Sequence, residues 1–186
     1  MIIRKAKVED SKVIATLMLL AMKEIVYQFI GLNSIDKATQ FLENLINQKA
    51  NQYSYENCWV LENKEGIVAV ANIYDGAKLQ ELRTPVIKLL KSMFNRNFSP
   101  EDETKEGELY IDCIGVSPDQ QGKGIGTKIF QFLINEYPNK PLGLLVDKDN
   151  PDAKKLYLKL GFEIIEEMTF AGKEMEHLQL RNKNQR

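Results

Sequence analysis

The chain has 186 residues, 44% of them apolar, which suits one globular domain with its own core rather than a peptide or a multidomain assembly. Folding at this length typically buries roughly 70% of the unfolded surface, so neither a metal nor a disulfide framework is required. Lys and Arg number 25 against 26 Asp and Glu, and the net charge of −1 excludes a basic nucleic-acid coat, a membrane-seeking surface and a charged disordered tail.

Ile2, Ile3 and Ala6 predict a short strand, after which Asp10 offers a side-chain oxygen to cap a helix carrying Val13, Leu17, Leu20 and Met22. Residues 13–22 are nearly all apolar and follow Arg4, Lys5, Lys7 and Lys12, in the manner of a short signal peptide. Glu9 and Asp10 interrupt that basic stretch and no small-x-small cleavage pattern follows it. The run is also about half of the ~20 residues that a membrane span needs, so neither a leader nor a span is expected. A second helix, from Ser34 or Asp36 to Gln48, carries Ala38, Phe41, Leu42, Leu45 and Ile46 as one stripe. Residues 59–62 and 67–74 are rich in strand formers and flank a plausible hairpin turn, Asn63, Lys64, Glu65 and Gly66.

Thr84 and Pro85 read as the cap and first turn of a third helix, with Val86, Leu89, Leu90 and Met93 at helical spacing. Residues 95–107 are polar, contain Pro100 and the acidic residues Glu101, Asp102, Glu103 and Glu106, and predict a mobile surface loop with a solvated charged face. Further on, the pattern predicts a strand at 109–116, a helix at 124–137, a strand at 142–146, a helix at 151–160 and two terminal strands. Cys58 and Cys113 lie in apolar stretches with no Cys-x-x-Cys spacing, which predicts buried thiols in a reducing cytoplasm and no metal site. His177, the single histidine, is assigned no role.

In the strand at 109–116, Leu109, Ile111 and Cys113 share one parity whereas Ile114 and Val116 take the other. Either a β-bulge lies near Cys113 and Ile114, or the strand is buried on both faces. A bulge leaves a backbone group unpaired, and an unpaired N–H in a cleft can polarise a substrate carbonyl.

Gln121, Gly122, Lys123, Gly124, Ile125, Gly126 and Thr127 lie between this strand and the next helix. A strand, a glycine-rich turn and a helix N-terminus favour a phosphate, because first-turn N–H groups are free and missing Cβ atoms admit the ligand. The spacing is neither Gly-x-Gly-x-x-Gly nor that of a Walker loop. Gln121, Gly124 and Gly126 instead form (Gln or Arg)-x-x-Gly-x-Gly, and here the chain resembles the GNAT superfamily of N-acetyltransferases. A second block, Asn150, Pro151, Asp152, Ala153, Leu156, Tyr157, Leu160, Gly161 and Phe162, resembles the family's next motif.

The resemblance implies an α/β (α+β) fold: a mixed, mostly antiparallel sheet with splayed fourth and fifth strands, flanked by helices. It also implies one domain over residues 1–186, with a helical and acidic-loop insertion at about 75–107. The implied activity is acetyl-CoA-dependent N-acetylation of a primary amine by direct attack in a ternary complex. A non-catalytic acyl-CoA sensor is the alternative. Amides from Gln121 to Thr127 would hold the pyrophosphate, Ile114 and Val116 would face the pantetheine arm, and Ile114 N–H would be the oxyanion donor. Tyr157 matches the position that protonates the departing thiolate, although its helical face also allows simple packing. Asn150 reads first as a helix cap and then as a coenzyme contact. Asp112 is the preferred base for the ammonium substrate, ahead of Glu108, whose default is an exposed strand end. The acceptor is a small-molecule or peptide amine, with no nucleic acid, membrane or metal involved, and a homodimer stays open.

Overall fold

Residues 1–181 are described in a computed structural model of the chain. Seven strands form one sheet: β1 (Ile2–Lys5), β2 (Cys58–Asn63), β3 (Gly66–Asp75), β4 (Leu109–Val116), β5 (Leu142–Asp147), β6 (Glu163–Phe170) and β7 (Lys173–Leu180). Their order is β1-β2-β3-β4-β5-β7-β6, antiparallel everywhere except between β4 and β5. Five helices cover the two faces: α1 (Ser11–Ile30), α2 (Ile35–Ile46), α3 (Leu79–Phe94), α4 (Ile125–Glu136) and α5 (Pro151–Lys159). The mixed α+β sheet expected from the sequence is therefore present, with β4 at the expected bounds.

One core packs Ile14, Met18, Phe41, Leu42 and Leu45 of α1 and α2 against Val60, Val70 and Cys113 of the sheet. The other packs Ile125, Ile129, Phe130 and Leu133 of α4 against Leu61, Ala69, Ala71 and Ile111. Alternating strand residues thus feed opposite cores, which fixes register because a one-residue slip would exchange them.

Several local expectations are corrected. Asp10 stands at the N-cap of α1 but makes no capping bond; its carboxylate accepts from Lys7 N–H and from Arg4, both at 2.8 Å. Helix α1 runs on to Ile30 through a non-helical residue, Met22, and so is longer than its apolar run suggested. The stretch Val8–Ile30 is long and apolar enough to cross a bilayer by length and composition, yet half of its most apolar window is buried inside the fold. Helix α3 begins at Leu79, because Asp75 caps a 3-10 turn (Gly76–Lys78) that leads straight into it. Pro85 consequently lies inside that helix, where it lacks the N–H that would bond the Glu81 carbonyl.

The loop at 95–107 has no regular strand or helix but is strapped down along its length. Arg83, on the buried face of α3, reaches the carbonyls of Pro100 and Glu101 at 3.2 and 3.1 Å and ion-pairs with Asp102 and Glu103. Thr104 Oγ1 donates to the Gly76 carbonyl at 2.7 Å, and Glu101 accepts from Ala171 N–H at 3.0 Å. The solvated acidic face expected from composition holds for Glu101, Asp102 and Glu106, which are exposed, but not for Glu103, which is only 2% exposed.

Helix α1 crosses β4 at Gly115, where any Cβ would run into the Leu17 backbone carbonyl. A helix carbonyl cannot give way as a flexible side-chain end can, so Gly115→Ala should destabilise the fold by about 2 kcal/mol. Urea denaturation measures this, and an unchanged midpoint would refute the close approach.

Candidate active site

β4 and β5 pair at only two positions, Leu109 with Leu142 and Tyr110 with Gly143. Immediately afterwards the β3–β4 register slips: Ile73 faces Ile111 and Asn72 faces Cys113, so Asp112 is the extra residue. This is a bulge one position earlier than the phase slip indicated. It turns the strand over, for Ile111 packs in one core and Cys113 in the other, while Ile114 and Val116 return to the Ile111 side. A bulge bends its strand and raises the local twist, which explains why β4 leaves β5 here.

The closed end of the wedge is pinned by Glu108. Its carboxylate lies over Gly143 of β5, in the space a Cβ would occupy, and accepts from Gln179 Nε2 at 2.8 Å and Lys105 N–H at 2.9 Å. His177 Nε2 lies 3.1 Å away. Glu108 is thus fully buried rather than an exposed strand end, and it ties β4 to β7. It does not line the cavity beyond.

The open part of the wedge is a cavity of about 850 Å3 lined by Asp112, Cys113 and Ile114 of β4, Leu145 to Asp147 of β5, Asn150, Ala153 and Tyr157, and the kinked segment of α1. Four residues singled out from the sequence, Asp112, Ile114, Asn150 and Tyr157, therefore share one cavity. Val116 and residues 121–127 are not in its lining; they lie where β4 leads into α4. There Gly122 and Gly124 have φ of 74° and 76°, values that L side chains rarely adopt, and Gly124 is the N-cap of α4. Cβ atoms at Gly122, Gly124 or Gly126 would meet nothing within 4 Å, so the turn presents bare backbone to open space. Gln121 closes it by donating from Nε2 to the Val116 carbonyl at 3.1 Å.

Asn150 Oδ1 accepts from Ala153 N–H at 3.2 Å, so it does cap α5 while also facing the cavity. Tyr157 packs edge-on to Phe130, with ring centroids 5.2 Å apart. Burial pushes its phenol up to about 12, and among the described residues no group hydrogen-bonds its hydroxyl. Packing of the ring and availability of the proton therefore coexist. Burial likewise raises the Cys113 thiol well above its usual range, keeping it protonated and a poor nucleophile.

At the other end of the cavity lies a group of buried polar side chains. Asp112 Oδ2 accepts from Tyr74 OH at 3.0 Å and from Gln52 Nε2 at 3.1 Å. Burial raises its carboxyl, partly offset by those two donors. Glu103 lines the same cavity, and desolvation, opposed by Arg83 and reinforced by Asp112, moves it up to about 7. Glu103 was missed because it was read as part of a solvated acidic run. The signal was Arg83, which shares the apolar stripe of Leu79, Leu82, Val86 and Leu90; a cation on a buried face requires a buried anion.

Comparison with known proteins agrees with this geometry. The model of the "Acetyltransferase (GNAT) family" matches residues 29–162. The spermine/spermidine N(1)-acetyltransferase of Bacillus subtilis (strain 168) is 29% identical over 79 residues, which cover 40% of this chain and 52% of that relative. The chain thus spans about half the length of this curated relative. A solved acetyltransferase structure superposes with a TM-score of 0.81 at 28% identity, covering 98% of this chain and 100% of that one. An N-acetyltransferase from Staphylococcus aureus Mu50 has the same fold, with a TM-score of 0.84, 21% identity, and coverage of 97% and 100%.

Removing Arg83 would leave Glu103 buried without its counter-charge, so Arg83→Met should cost about 3 kcal/mol near pH 8. Glu103 titrates above an ordinary Glu, so its contribution to stability is fully present below about pH 4.5 and is lost as pH rises through about 7. The Arg83→Met deficit should therefore be smaller at pH 5.5 than at pH 8, as read by urea denaturation; a deficit independent of pH would contradict the buried pair. With fold and family model in agreement, the chain belongs to the acetyltransferase (GNAT) family.

Proposed function

We propose that this protein transfers acetyl from acetyl-CoA directly to the nitrogen of a primary amine, as a single domain whose insertion at 75–107 shapes the acceptor side. The observation that carries this reading is the wedge itself: one cavity between β4 and β5 is lined by Asp112, Ile114, Asn150 and Tyr157, and the bare-backbone turn at 121–127 follows β4. The coenzyme supplies the activated thioester when bound.

The chain's own groups do the rest. Amides of Gln121, Gly122, Lys123, Gly124, Ile125, Gly126 and Thr127 bind the pyrophosphate with the positive end of α4, and Lys123 adds charge at the rim. Positive φ at Gly122 and Gly124, with open space around their Cα atoms, supports that assignment. Backbone atoms of Ile114 and Val116 orient the pantetheine arm along the β4 edge that β5 leaves unpaired. Ile114 N–H donates to the carbonyl oxygen as negative charge develops on it, an effect strongest in a site shielded from water. Tyr157 holds a proton at its hydroxyl for the departing sulfur, and Asp112 takes one from the acceptor's ammonium group. Asn150 fixes the start of α5, which carries Tyr157, and borders the coenzyme. The protonated, buried Cys113 favours direct transfer over a covalent cysteine intermediate.

Likeness to a spermine/spermidine acetyltransferase, together with the carboxylates at the inner end, supports a small cationic amine as acceptor. This reading places the protein in the cytoplasm, where reduced thiols such as Cys58 and Cys113 persist.

Tyr157→Phe tests the acid role. Turnover on a panel of polyamines and other primary amines should fall about 100-fold. Acetyl-CoA binding by calorimetry should stay unchanged. Equal turnover across pH would remove Tyr157 from the chemistry. Absence of binding heat with the wild-type protein at millimolar acetyl-CoA would remove the acetyl-transfer reading altogether.

A further inference from the structure

We infer that Glu103, brought in by the loop before β4, forms with Asp112 a two-carboxylate site that receives the proton of the acceptor's ammonium group. This rests on the acetyl-transfer reading above and adds a second catalytic residue to it.

The two carboxylates are joined by shared donors. Gln52 Nε2 lies 2.7 Å from Glu103 Oε1 and 3.1 Å from Asp112 Oδ2. Tyr74 OH lies 3.4 and 3.0 Å from the same two oxygens. Gln52 is itself held firmly: its N–H donates to the Leu82 carbonyl at 3.0 Å, and its carbonyl accepts from Asn72 Nδ2 at 3.2 Å. Arg83 pins the other Glu103 oxygen, and both carboxylates line the cavity that Ile114 and Tyr157 also line.

Every packed element contributes to the charge balance around Glu103. Arg83 of α3 is the cation, and Tyr53, Tyr74 of β3 and Tyr110 of β4 are neutral phenols whose ionisation burial suppresses. Asp112 of β4 is the like charge, and Asp102 on the same loop is occupied by Arg83 and Gln80. Two carboxylates on common donors resist simultaneous ionisation, so the pair titrates as a unit. Burial moves Glu103 up to about 7 and raises Asp112 as well. A carboxylate pair poised there is a stronger proton acceptor than an ordinary Asp, whose usual value is near 3.9.

The proton balance is simple. One N–H bond of the ammonium breaks as an O–H bond forms on the doubly ionised pair, freeing the nitrogen lone pair to form the C–N bond. The C–S bond breaks and the sulfur takes the Tyr157 proton. The nitrogen's second proton replaces that one, through solvent or the site. The pair then returns its own proton to water, so one proton is released per turnover.

The test is the pH profile of kcat/KM for wild type, Glu103→Gln and Glu103→Asp, with acetyl-CoA calorimetry and melting temperature as controls on folding. Wild-type activity should rise through about pH 7. Glu103→Gln should displace that limb to lower pH and lower kcat at least tenfold at pH 8, whereas Glu103→Asp, which keeps the charge, should retain a limb near neutrality. Glu103→Gln with the wild-type limb and a kcat within twofold would overturn the inference while leaving acetyl transfer intact. Wild type inactive on every amine would instead sink the acetyl-transfer reading and this inference with it. If the variants fail to fold, a carboxyl 13C titration of the wild-type protein decides: a Glu103 midpoint near 7 supports the pair, and one below 5 refutes it.

Discussion

Two residue pairs hold β4 to β5, and the rest of the molecule's chemistry depends on their being only two. A longer parallel ladder would satisfy the backbone of both strands and leave no room between them. The bulge at Asp112 prevents it by turning β4 over just past the last pair, and Glu108, seated over Gly143 and tied to β7, keeps the strands together at the other end. The wedge is thus neither a loose edge nor a loop-built pocket; it is a defect in the sheet, held open by one extra residue and closed by one buried carboxylate. That single irregularity also brings a polar side chain, Asp112, into a site bordered by two apolar cores.

Arg83 organises the opposite wall. A guanidinium on the buried face of α3 needs its charge answered and its N–H groups bonded, and the loop at 95–107 supplies carbonyls and two carboxylates for the purpose. Ordering that loop is what delivers Glu103 into the cavity. The same low dielectric that makes the ion pair hold keeps nearby phenols and thiols protonated and lifts the carboxylates toward neutrality. Structure and acid–base character at this end of the cavity therefore have one cause, the burial of a cation that is bonded through its two terminal nitrogens.

Much of this was legible beforehand. The strand at 109–116, its phase slip and the glycine turn after it are local patterns, read from side-chain period and from backbone freedom at Gly122 and Gly124. Asn150 as a helix cap was legible for the same reason, whereas the place of Tyr157 in the site came from the family resemblance, its helical period alone pointing to packing. Other features were not. Pro85 suggested a helix start because the capping of the preceding turn by Asp75 is a detail of one side chain. Glu108 and Glu103 looked exposed because a charged residue beside other charged residues is usually solvated, and the side chains that hold their carboxylates lie 20 to 71 residues away in the chain.

The sequence alone thus determined the order of strands and helices, the glycine-rich turn before α4 and the kinship with acetyltransferases, since each rests on neighbours within a few residues. Only the tertiary structure decided where charge could be buried: that Glu108 fills the gap left by Gly143, and that Arg83 draws Glu103 in beside Asp112. Desolvation and long-range pairing depend on distances through space, and no local pattern along the chain encodes them.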